Sequence, residues 1–554
     1  MKSVPDAGTA FVARDPGTWQ GFPGMCRTSS GRLVLGVKQA YGHGASRWQR
    51  VVTMVSDDRG RTWSAPATLV EGDFDRELPF VATGGLYLTA TRDGRVLMHY
   101  FSEDWPERKP TTPVIHISDD AGITWSGPIR MTRDLEFRQD GAVLERRAGD
   151  LLVYSGLNRL LRSLDRGETW EPYGDLVVPE DCPLQLAESC LAELADGRLI
   201  ILMRENHYAN FPMFAAVSAD GGRTWSRPRP TPFVGHWPAA FDLGDGTHLL
   251  AYRNVGGRAG SVVWRGDLGA LPEYRVSSTR YGEAEAAAAL TGDGLVLDTE
   301  RRPGSFVQFY LMPADDQAAH VVIEAELRCL ANAGQACSIG LRGAGWLRVF
   351  PDHLDLEHSP GHSRVPVDGR SWHRYRMELA RGTLRVSIDG TQVLHYPAID
   401  LAPVSHVPCN AFGCAFAYRE LPRPEHYPMR VRLPFYVRPG NAGRSVWRSV
   451  QLDITGNRWL PDYRYRWRHD RDGLPDAFQE HGLLELEYCR DAGDWGKPVP
   501  VAFADGECFA VDYFGNGMPV GSDALAWLQP DRGHNCYVNG YRFRLEDLPA
   551  PALP

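Results

Sequence analysis

The chain has 554 residues and a formal net charge of −9 at pH 7, with 60 Lys and Arg against 69 Asp and Glu. A chain of this length exceeds one ordinary hydrophobic core, so two or three domains are expected. Because acidic residues outnumber basic ones, the chain has no overall positive charge with which to bind nucleic acid. No apolar run approaches the roughly 18 residues of a membrane span.

The N-terminal residues 1–8 lack the basic stretch and apolar core of a signal peptide. The chain is therefore expected to be cytoplasmic, or exported with its signal removed. Its ten Cys residues show neither CxxC nor zinc-finger spacing, so neither a thiolate metal site nor another cofactor is expected. Buried free thiols are favoured, and the pairs Cys329–Cys337 and Cys409–Cys414 are the alternative for an exported protein.

The pattern Ser-x-Asp-x-Gly-x-Thr-Trp occurs four times, starting at Ser56, Ser118, Ser163 and Ser218. In each copy the Asp can accept hydrogen bonds inside a tight turn, Gly can take a positive φ, and Trp can anchor a hairpin. Predicted strands that are apolar or alternate between apolar and polar residues precede the copies of this pattern, as at residues 51–55 and 213–217. Intervals of about 45–60 residues suit four-stranded units with variable loops, so the pattern predicts a radial repeat.

These boxes resemble the Asp boxes of the sialidase superfamily, over residues 15–270 and a shorter stretch near 485–520. The resemblance implies an all-β fold built on a six-bladed sialidase-like β-propeller. In that family the boxes lie on the rim, away from the active site. The carboxylates expected to be structural rather than catalytic are therefore those of Asp58, Asp120, Asp165 and Asp220.

The boxes are absent from residues 276–455, where alternating strands appear at 320–328, 372–379 and 383–390. The segment from Trp372 to Gly390 resembles the laminin-G and concanavalin-like sandwiches. It implies an inserted β-sandwich of jelly-roll, lectin-like type. The predicted domains are 1–275 for most propeller blades, 276–455 for the sandwich, and 456–554 for the last blade and C-terminal closure.

The sandwich has two interpretations. It could hold glycan, with Trp346, Phe350 and His353 as contacts, or it could be a scaffold that packs on the propeller or on a second subunit. A scaffold is favoured, since a jelly-roll core also needs its aromatic side chains.

Two segments resemble parts of the sialidase active site, in which three Arg bind the substrate carboxylate and a Glu activates a Tyr nucleophile. The stretch from Glu188 to Arg204 resembles the strand pair that carries the Glu and the second Arg. The stretch from Asn254 to Arg258 resembles the one that supplies the third Arg. The resemblance implies a catalytic Glu188, and substrate binding by Arg204 and Arg258 through guanidinium forks.

Three positions differ from the sialidase pattern. Gly21 stands where the first Arg is expected, and the loop at 41–48 has His43 but no carboxylate where the acid Asp is expected. Lys497 stands where the nucleophilic Tyr is expected. Sialidase activity is therefore not transferred to this chain, since losing these groups would each cost orders of magnitude in rate.

Further polar residues follow predicted strands and could complete a different site. We expect catalytic roles for Asp140 and His43 beside Glu188, because carboxylates and a His of near-neutral pKa act as acid or base on sugars. The residues expected to bind substrate are Arg204, Arg258, Arg253, His207, His236 and Lys497.

The function best supported by the sequence is that of an exo-acting glycoside hydrolase on a terminal, acidic or neutral, sugar. A His base with an Arg neutralising a uronate would instead suit a polysaccharide lyase, and a non-catalytic carbohydrate-binding propeller is the third hypothesis. The expected partner is a glycan, with no nucleic acid and no membrane. A homo-oligomer is compatible with the sequence.

Overall fold

The computed structural model describes residues 2–4, 9–13, 18–42, 48–73, 80–104, 109–132, 141–155, 159–176, 184–205, 212–256, 259–281, 287–301, 306–312, 314, 318–334, 336–341, 344–356, 364–397, 410–413, 442–488, 494–515 and 536–550. Strands dominate these ranges, beside a short 3₁₀ turn, Leu268–Ala270, and a one-turn helix, Ala477–His481. The all-β prediction is confirmed. No helix in these ranges is long and apolar enough to cross a membrane.

In the described ranges, the strands of the propeller form six antiparallel four-stranded blades. Blade 1 contains Trp19–Arg27, Leu33–Ala40, Trp48–Ser56 and Ala67–Asp73, and blade 2 contains Phe80–Ala90, Val96–Asp104, Lys109–Ser118 and Ile129–Arg130. Blade 3 contains Leu144–Glu145, Leu151–Ser155, Arg159–Ser163 and Glu171–Asp175, and blade 4 contains Leu186–Glu193, Leu199–Glu205, Phe214–Ser218 and Arg229–Pro230. The first strand of each blade is its inner strand.

The last two blades combine segments that are distant in sequence. Blade 5 contains Gly235–Asp242, His248–Asn254, Gly260–Gly266 and Leu484–Tyr488, and blade 6 contains Val499–Ala502, Glu507–Gly515, Cys536–Arg544 and Thr9–Ala13. Lys2–Ser3 extends blade 5 in parallel, and Asp494–Trp495 pairs with the end of Glu507–Gly515. The region after 456 thus supplies a strand of blade 5 as well as most of blade 6.

The inner strands form a closed ring. That of blade 6 contacts those of blades 5 and 1, and the strands of blades 1 and 2, 3 and 4, and 4 and 5 also meet. Blades 2 and 3 are joined where the hydroxyl of Thr89 donates to the carbonyl of Val143 at 2.8 Å. Ring closure leaves the propeller without an unpaired first or last blade.

Each Asp box forms a closed set of local hydrogen bonds. Asp58 accepts from the backbone N–H of Thr62 at 2.8 Å and from the Thr62 hydroxyl at 2.6 Å. The Ser56 hydroxyl donates to Asp58 at 2.9 Å and accepts from the N–H of Gly60 at 2.8 Å. The same bonds recur at Asp120, Asp165 and Asp220. The four carboxylates are thus used within their own turns.

The glycines of the boxes also join neighbouring blades. Gly60 of blade 1 adopts a φ of +79° and lies so near Phe509 of blade 6 that an added Cβ would come within 2.6 Å of the ring. Gly122 of blade 2 has a φ of +88° and meets Val34 of blade 1 in the same way. The box therefore requires Gly for both its conformation and its contact with the preceding blade.

Replacing Asp58 by Ala is expected to lower the free energy of unfolding by about 1 kcal/mol, because two donors of Thr62 lose their acceptor. Hydrogen bonds from Thr62 lower the pKa of Asp58 to about 2, below its ordinary value of 3.8. The contribution should therefore be present above pH 4 and lost as pH falls towards 2. Denaturant unfolding measures it, with Asp57→Ala as the control; equal losses in both variants would contradict the assignment.

Residues 277–468 contribute two further sheets. The seven-stranded sheet contains, in order of pairing, Ser277–Tyr281, Phe306–Tyr310, Ala411–Gly413, Ser338–Leu341, Gly345–Val349, His353–Leu356 and Val365–Pro366. The eight-stranded sheet contains Ala288–Thr291, Gly294–Asp298, Gly443–Thr455, His320–Asn332, His373–Ala380, Thr383–Ile388 and Thr391–Tyr396, with Tyr463–Arg468 paired to Gly443–Thr455.

A shared core packs these two sheets together and against blades 3 and 4. Phe412 of the seven-stranded sheet lies 5.4 Å from Trp447 of the eight-stranded sheet, measured between ring centroids. Since Tyr463–Arg468 belongs to this unit, its strands extend beyond the predicted boundary at 455. Continuity of the core with the propeller agrees with a scaffold role.

Two predictions for this unit need correction. Trp346 is fully buried, so it is a core residue and not a surface contact for glycan. His353 is also buried, stacked on Phe350 with ring centroids 4.3 Å apart. Cys329 and Cys337 are buried thiols that the structure does not join in a disulfide, whereas residues 409 and 414 lie outside the described ranges.

Candidate functional site

The inner strands of three blades bend at similar places. Phe22, Glu188 and Trp237 have φ values of +50°, +42° and +53°, and each lies at a register shift of its strand. Positive φ is unfavourable for such residues by about 1 kcal/mol or more, and such strain concentrates at functional sites. These three residues mark the centre of the propeller as the candidate site.

Glu188 and Arg204 form an ion pair across the first two strands of blade 4. Arg204 Nη1 donates to Glu188 Oε1, and the two side chains are only 6% and 13% exposed. Within the described part of the chain, Glu188 Oε2 is buried and has no hydrogen-bond partner. The sequence analysis predicted that one strand pair carries both residues, and the structure pairs their side chains while leaving one buried carboxylate oxygen without a hydrogen-bond partner in the described ranges. Their roles in catalysis and substrate binding stay predictions.

Blades 5 and 6 bring His236, Arg253 and Trp495 beside this pair. His236 lies opposite Arg253 in the first two strands of blade 5. The Arg253 guanidinium lies 4.1 Å from the centroid of the Trp495 ring, a cation–π contact that positions its charge. Burial, with the charges of Arg204 and Arg253, holds the pKa of His236 well below its usual range, so the imidazole is neutral.

Lys497 is anchored by the protein itself. Its buried ammonium donates to the carbonyls of Pro23 at 2.8 Å and Leu86 at 2.7 Å, and lies 4.4 Å from the centroid of the Tyr87 ring. Burial lowers the pKa of Lys497 to about 7, against the attraction of Asp512 and Glu188. The Lys497 side chain of blade 6 therefore joins the inner strands of blades 1 and 2. A contact between Lys497 and substrate stays a prediction.

Aromatic rings fill the space that Gly21 leaves. A Cβ at Gly21 would lie 2.5 Å from the Trp19 ring, so a longer side chain there would displace the indole. Phe22 contacts both Trp237 and Tyr513, with centroid distances of 5.7 and 5.5 Å. The position of the first sialidase Arg is therefore part of an aromatic cluster.

Asp512 is a second buried carboxylate near the centre. It accepts from the Ser261 hydroxyl and, at 2.6 and 2.8 Å, from the backbone N–H groups of Lys497 and Tyr513. Burial outweighs these bonds and raises the pKa of Asp512 to about 7. The carboxyl therefore retains its proton in acid solution at pH values where an exposed Asp has lost it.

We compare the free energy of unfolding of the wild type with that of the Asp512→Asn variant. The value for the wild type, minus that for the variant, should fall as pH rises from 4 to 6. In this range the folded state holds a proton that the unfolded state, with an ordinary pKa of 3.8, has released. Denaturant unfolding of both proteins at several pH values measures the difference. The exposed Asp175→Asn variant is the control, and a difference independent of pH would contradict the assignment.

The site thus contains four buried polar atoms that have no hydrogen-bond partner within the described ranges: Glu188 Oε2, His236 Nδ1, Arg253 Nε and Trp495 Nε1. Buried polar groups are nearly always hydrogen-bonded, so these atoms indicate a place for a polar ligand or water. No group of three or more His, Cys, Asp and Glu within those ranges could hold a metal ion.

The remaining predicted site residues, His43, Asp140, His207 and Arg258, lie outside the described ranges. Sequence reasoning missed Tyr87, Trp237 and Asp512. A signal for Trp237 was present, because Trp237–Pro238 repeats the aromatic–Pro pair Phe22–Pro23 of blade 1. Tyr87 and Asp512 lie in ordinary strand sequences and carry no comparable signal.

Residues 9–271 match the family model described as "BNR repeat-like domain". No curated protein matches the chain. Among solved structures, a protein of unknown function from Dyadobacter fermentans is 20% identical over 56% of this chain and 95% of its own, with a TM-score of 0.41. The Hadza microbial sialidase Hz136 is 18% identical over 48% and 63% of the two chains (TM-score 0.36). A Trypanosoma rangeli sialidase mutant displaying trans-sialidase activity is 12% identical over 87% and 99% (TM-score 0.34).

Proposed function

Because residues 9–271 match a BNR repeat-like domain and contribute most blades of a β-propeller, we propose that the protein is a carbohydrate-active enzyme. The proposed reaction is the cleavage of a terminal acidic sugar from a glycan by acid–base hydrolysis at the centre of the propeller. Glu188 is the proposed acid or base.

The observation that supports this role most directly is the asymmetry of the Glu188 carboxylate. Arg204 binds Oε1 and fixes the orientation of the group, while Oε2 is buried without a partner in the described ranges. A carboxylate held in this way can exchange a proton with a bound hydroxyl, water or glycosidic oxygen. The strained backbone at Glu188 supports the assignment, because it positions the side chain at the bend of the inner strand.

The charges and rings around Glu188 support an acidic sugar as substrate. Arg204 and Arg253 both lie near His236, and Arg204 also pairs with Glu188, so the site has two guanidinium groups. Guanidinium forks bind planar carboxylates in a bidentate manner. Trp237 is partly exposed and adds aromatic surface, which suits the apolar face of a sugar ring. The predicted Arg258 would add a third cation.

Hydrolysis needs a second acid–base group or an activated nucleophile. Asp140 and His43 remain the predicted candidates for this role. If Glu188 and Asp140 are the two catalytic carboxylates, the distance between them would decide whether the configuration of the sugar is retained or inverted. Retaining enzymes hold the two groups about 5–5.5 Å apart and inverting enzymes about 6.5–9.5 Å apart.

The neutral, unprotonated form of the His236 imidazole favours a second candidate function, that of a lyase acting on a uronate polymer. A neutral imidazole between Arg204 and Arg253 could remove the proton next to a uronate carboxylate whose charge the guanidiniums neutralise. Loss of the 4-O-linked sugar would then leave a carbon–carbon double bond in the product.

A panel of glycans with terminal sialic acid, terminal uronic acid or neutral sugars, together with uronate polymers, tests these functions. Released reducing sugar without near-ultraviolet absorbance supports hydrolysis, and an absorbing unsaturated product establishes the lyase. Glycan binding without either product would contradict both and leave the carbohydrate-binding propeller.

A further inference from the structure

The outward face of the eight-stranded sheet is rich in arginine. In this sheet the side chains alternate, so that residues such as Ile323 and Ala325 are buried while Glu324 and Glu326 point outward. The outward or edge positions of neighbouring strands carry eight guanidinium groups, which we call the arginine face: Arg328, Arg374, Arg376, Arg385, Arg448, Arg464, Arg466 and Arg468.

Six carboxylates pair with the guanidinium groups of this face. Glu324, Glu326, Glu378 and Asp453 lie between the arginines. Asp470 and Asp293 are more exposed, at 48% and 65%, and pair with Arg468 and Arg328. Glu324 and Glu326 are 16% and 29% exposed, whereas Arg464, Arg468 and Arg374 are 79%, 61% and 60% exposed. Among the described residues, six carboxylates therefore accompany the eight guanidinium groups, so the face keeps a positive excess although the chain as a whole has a net charge of −9.

The ion pairs within the face leave its cations only partly neutralised. Some pairs are close: Arg466 lies 2.6 Å from Asp453, and Arg468 lies 2.8 Å from Asp470. Arg374, in contrast, approaches Glu324 only at 3.5 Å and Glu326 at 4.0 Å. Asp453 is also shared with Arg464, at 3.3 Å. Such exposed pairs contribute little, about 0–1 kcal/mol, so an incoming anion can compete for these guanidiniums.

An aromatic ring lies within the same face. The guanidiniums of Arg448 and Arg328 lie 3.8 and 4.9 Å from the centroid of the Trp372 ring. Trp372 is partly exposed, so its indole is accessible beside two cations. A ring flanked by cations can stack on a sugar while the guanidiniums bind the sugar's anionic groups.

We propose that the arginine face binds an anionic polysaccharide, whose carboxylate or sulfate groups pair with the guanidinium groups. Strands lie about 4.8 Å apart and outward side chains recur about every 6.7 Å along a strand, so the cations form a lattice that many anions can occupy at once. The charge complementarity and the accessible Trp372 favour a sugar polymer over a small ion. Binding at this face does not depend on turnover at the propeller centre.

The test is binding of the full chain in the Glu188→Gln background, which removes the proposed turnover. The probes are heparin as a sulfated polymer, polygalacturonate as a uronate polymer, neutral dextran, and duplex DNA. One variant combines Arg374→Glu, Arg464→Glu and Arg468→Glu. The matched control reverses three exposed propeller arginines, Arg61, Arg92 and Arg198, and so changes the net charge equally.

Heparin, polygalacturonate or both should bind, more weakly at higher salt, and the arginine-face variant should bind about tenfold less tightly while the control does not change. Preference between the two polymers identifies sulfate or carboxylate as the ligand group. Equal losses in variant and control, equal binding of dextran, or tighter binding of DNA than of either polysaccharide would each overturn the proposal. If the wild-type protein cleaves no glycan but its arginine face still binds the polysaccharide, only the proposed function is rejected.

Discussion

Replacing Glu188 by Gln is expected to lower kcat on the hydrolysed glycan by about 10²–10⁴-fold, with a smaller change in KM. The amide can still accept the hydrogen bond of Arg204, but it can neither release nor take up a proton. Substrate binding through Arg204 and Arg253 should largely persist, since both guanidiniums remain. The loss should therefore be concentrated in the chemical step.

Steady-state kinetics measure this effect, together with an unfolding curve that shows the variant to be folded. Glu171→Gln is the matched control, because Glu171 is exposed on the outer strand of blade 3 and pairs only with the side chain of Arg162 in the described ranges. It should leave kcat within about twofold of wild type. If Glu188→Gln also kept wild-type kcat, Glu188 would not be the acid or base.

Replacing Lys497 by Met is expected to lower the free energy of unfolding by about 2–4 kcal/mol. The change removes the donor of two buried carbonyls, those of Pro23 and Leu86, and each unsatisfied group costs about 1–3 kcal/mol. Relief from burying the ammonium offsets part of this cost. The variant should also loosen blade 6 from blades 1 and 2, because one side chain provides both bonds.

Denaturant unfolding at pH 6, where the ammonium is charged, measures this loss. The exposed Lys2→Met variant is the control for removing a positive charge. Unchanged stability in Lys497→Met would mean that the two bonds do not hold the blades together. The same variant tests the predicted substrate contact, because a role in binding would raise KM under conditions where the protein remains folded.

Local sequence patterns predicted much of the propeller. The Asp boxes could be identified from eight consecutive residues because their hydrogen bonds join neighbours, as between Asp58 and Thr62. The strand pair that carries Glu188 and Arg204 was also predicted, from a resemblance within a single segment of 17 residues, and the structure shows the two strands side by side. In both cases the partners are close in sequence, so a short pattern contains the interaction.

The sequence analysis assigned residues 456–554 to the last blade and the C-terminal closure, but only the tertiary structure shows which strands complete blades 5 and 6. Leu484–Tyr488 completes blade 5 and Thr9–Ala13 completes blade 6, and both pair with strands that are hundreds of residues away. A strand's pattern shows that it will be paired but not with which partner, because any antiparallel edge satisfies its backbone groups.

The chemical character of the site was likewise decided by the tertiary structure. The sequence shows Lys497, His236 and Trp495 as a cation, an imidazole and an indole. Folding makes the first an anchor for two carbonyls, keeps the second neutral, and places the third against Arg253. Burial and charge at one point in space are sums over groups from several blades, so no single segment determines them. The sequence by itself determined the repeat and the strand pair that carries Glu188 and Arg204. The tertiary structure determined which strands complete the last two blades, how Glu188 and Arg204 pair, and how the central groups are charged and held.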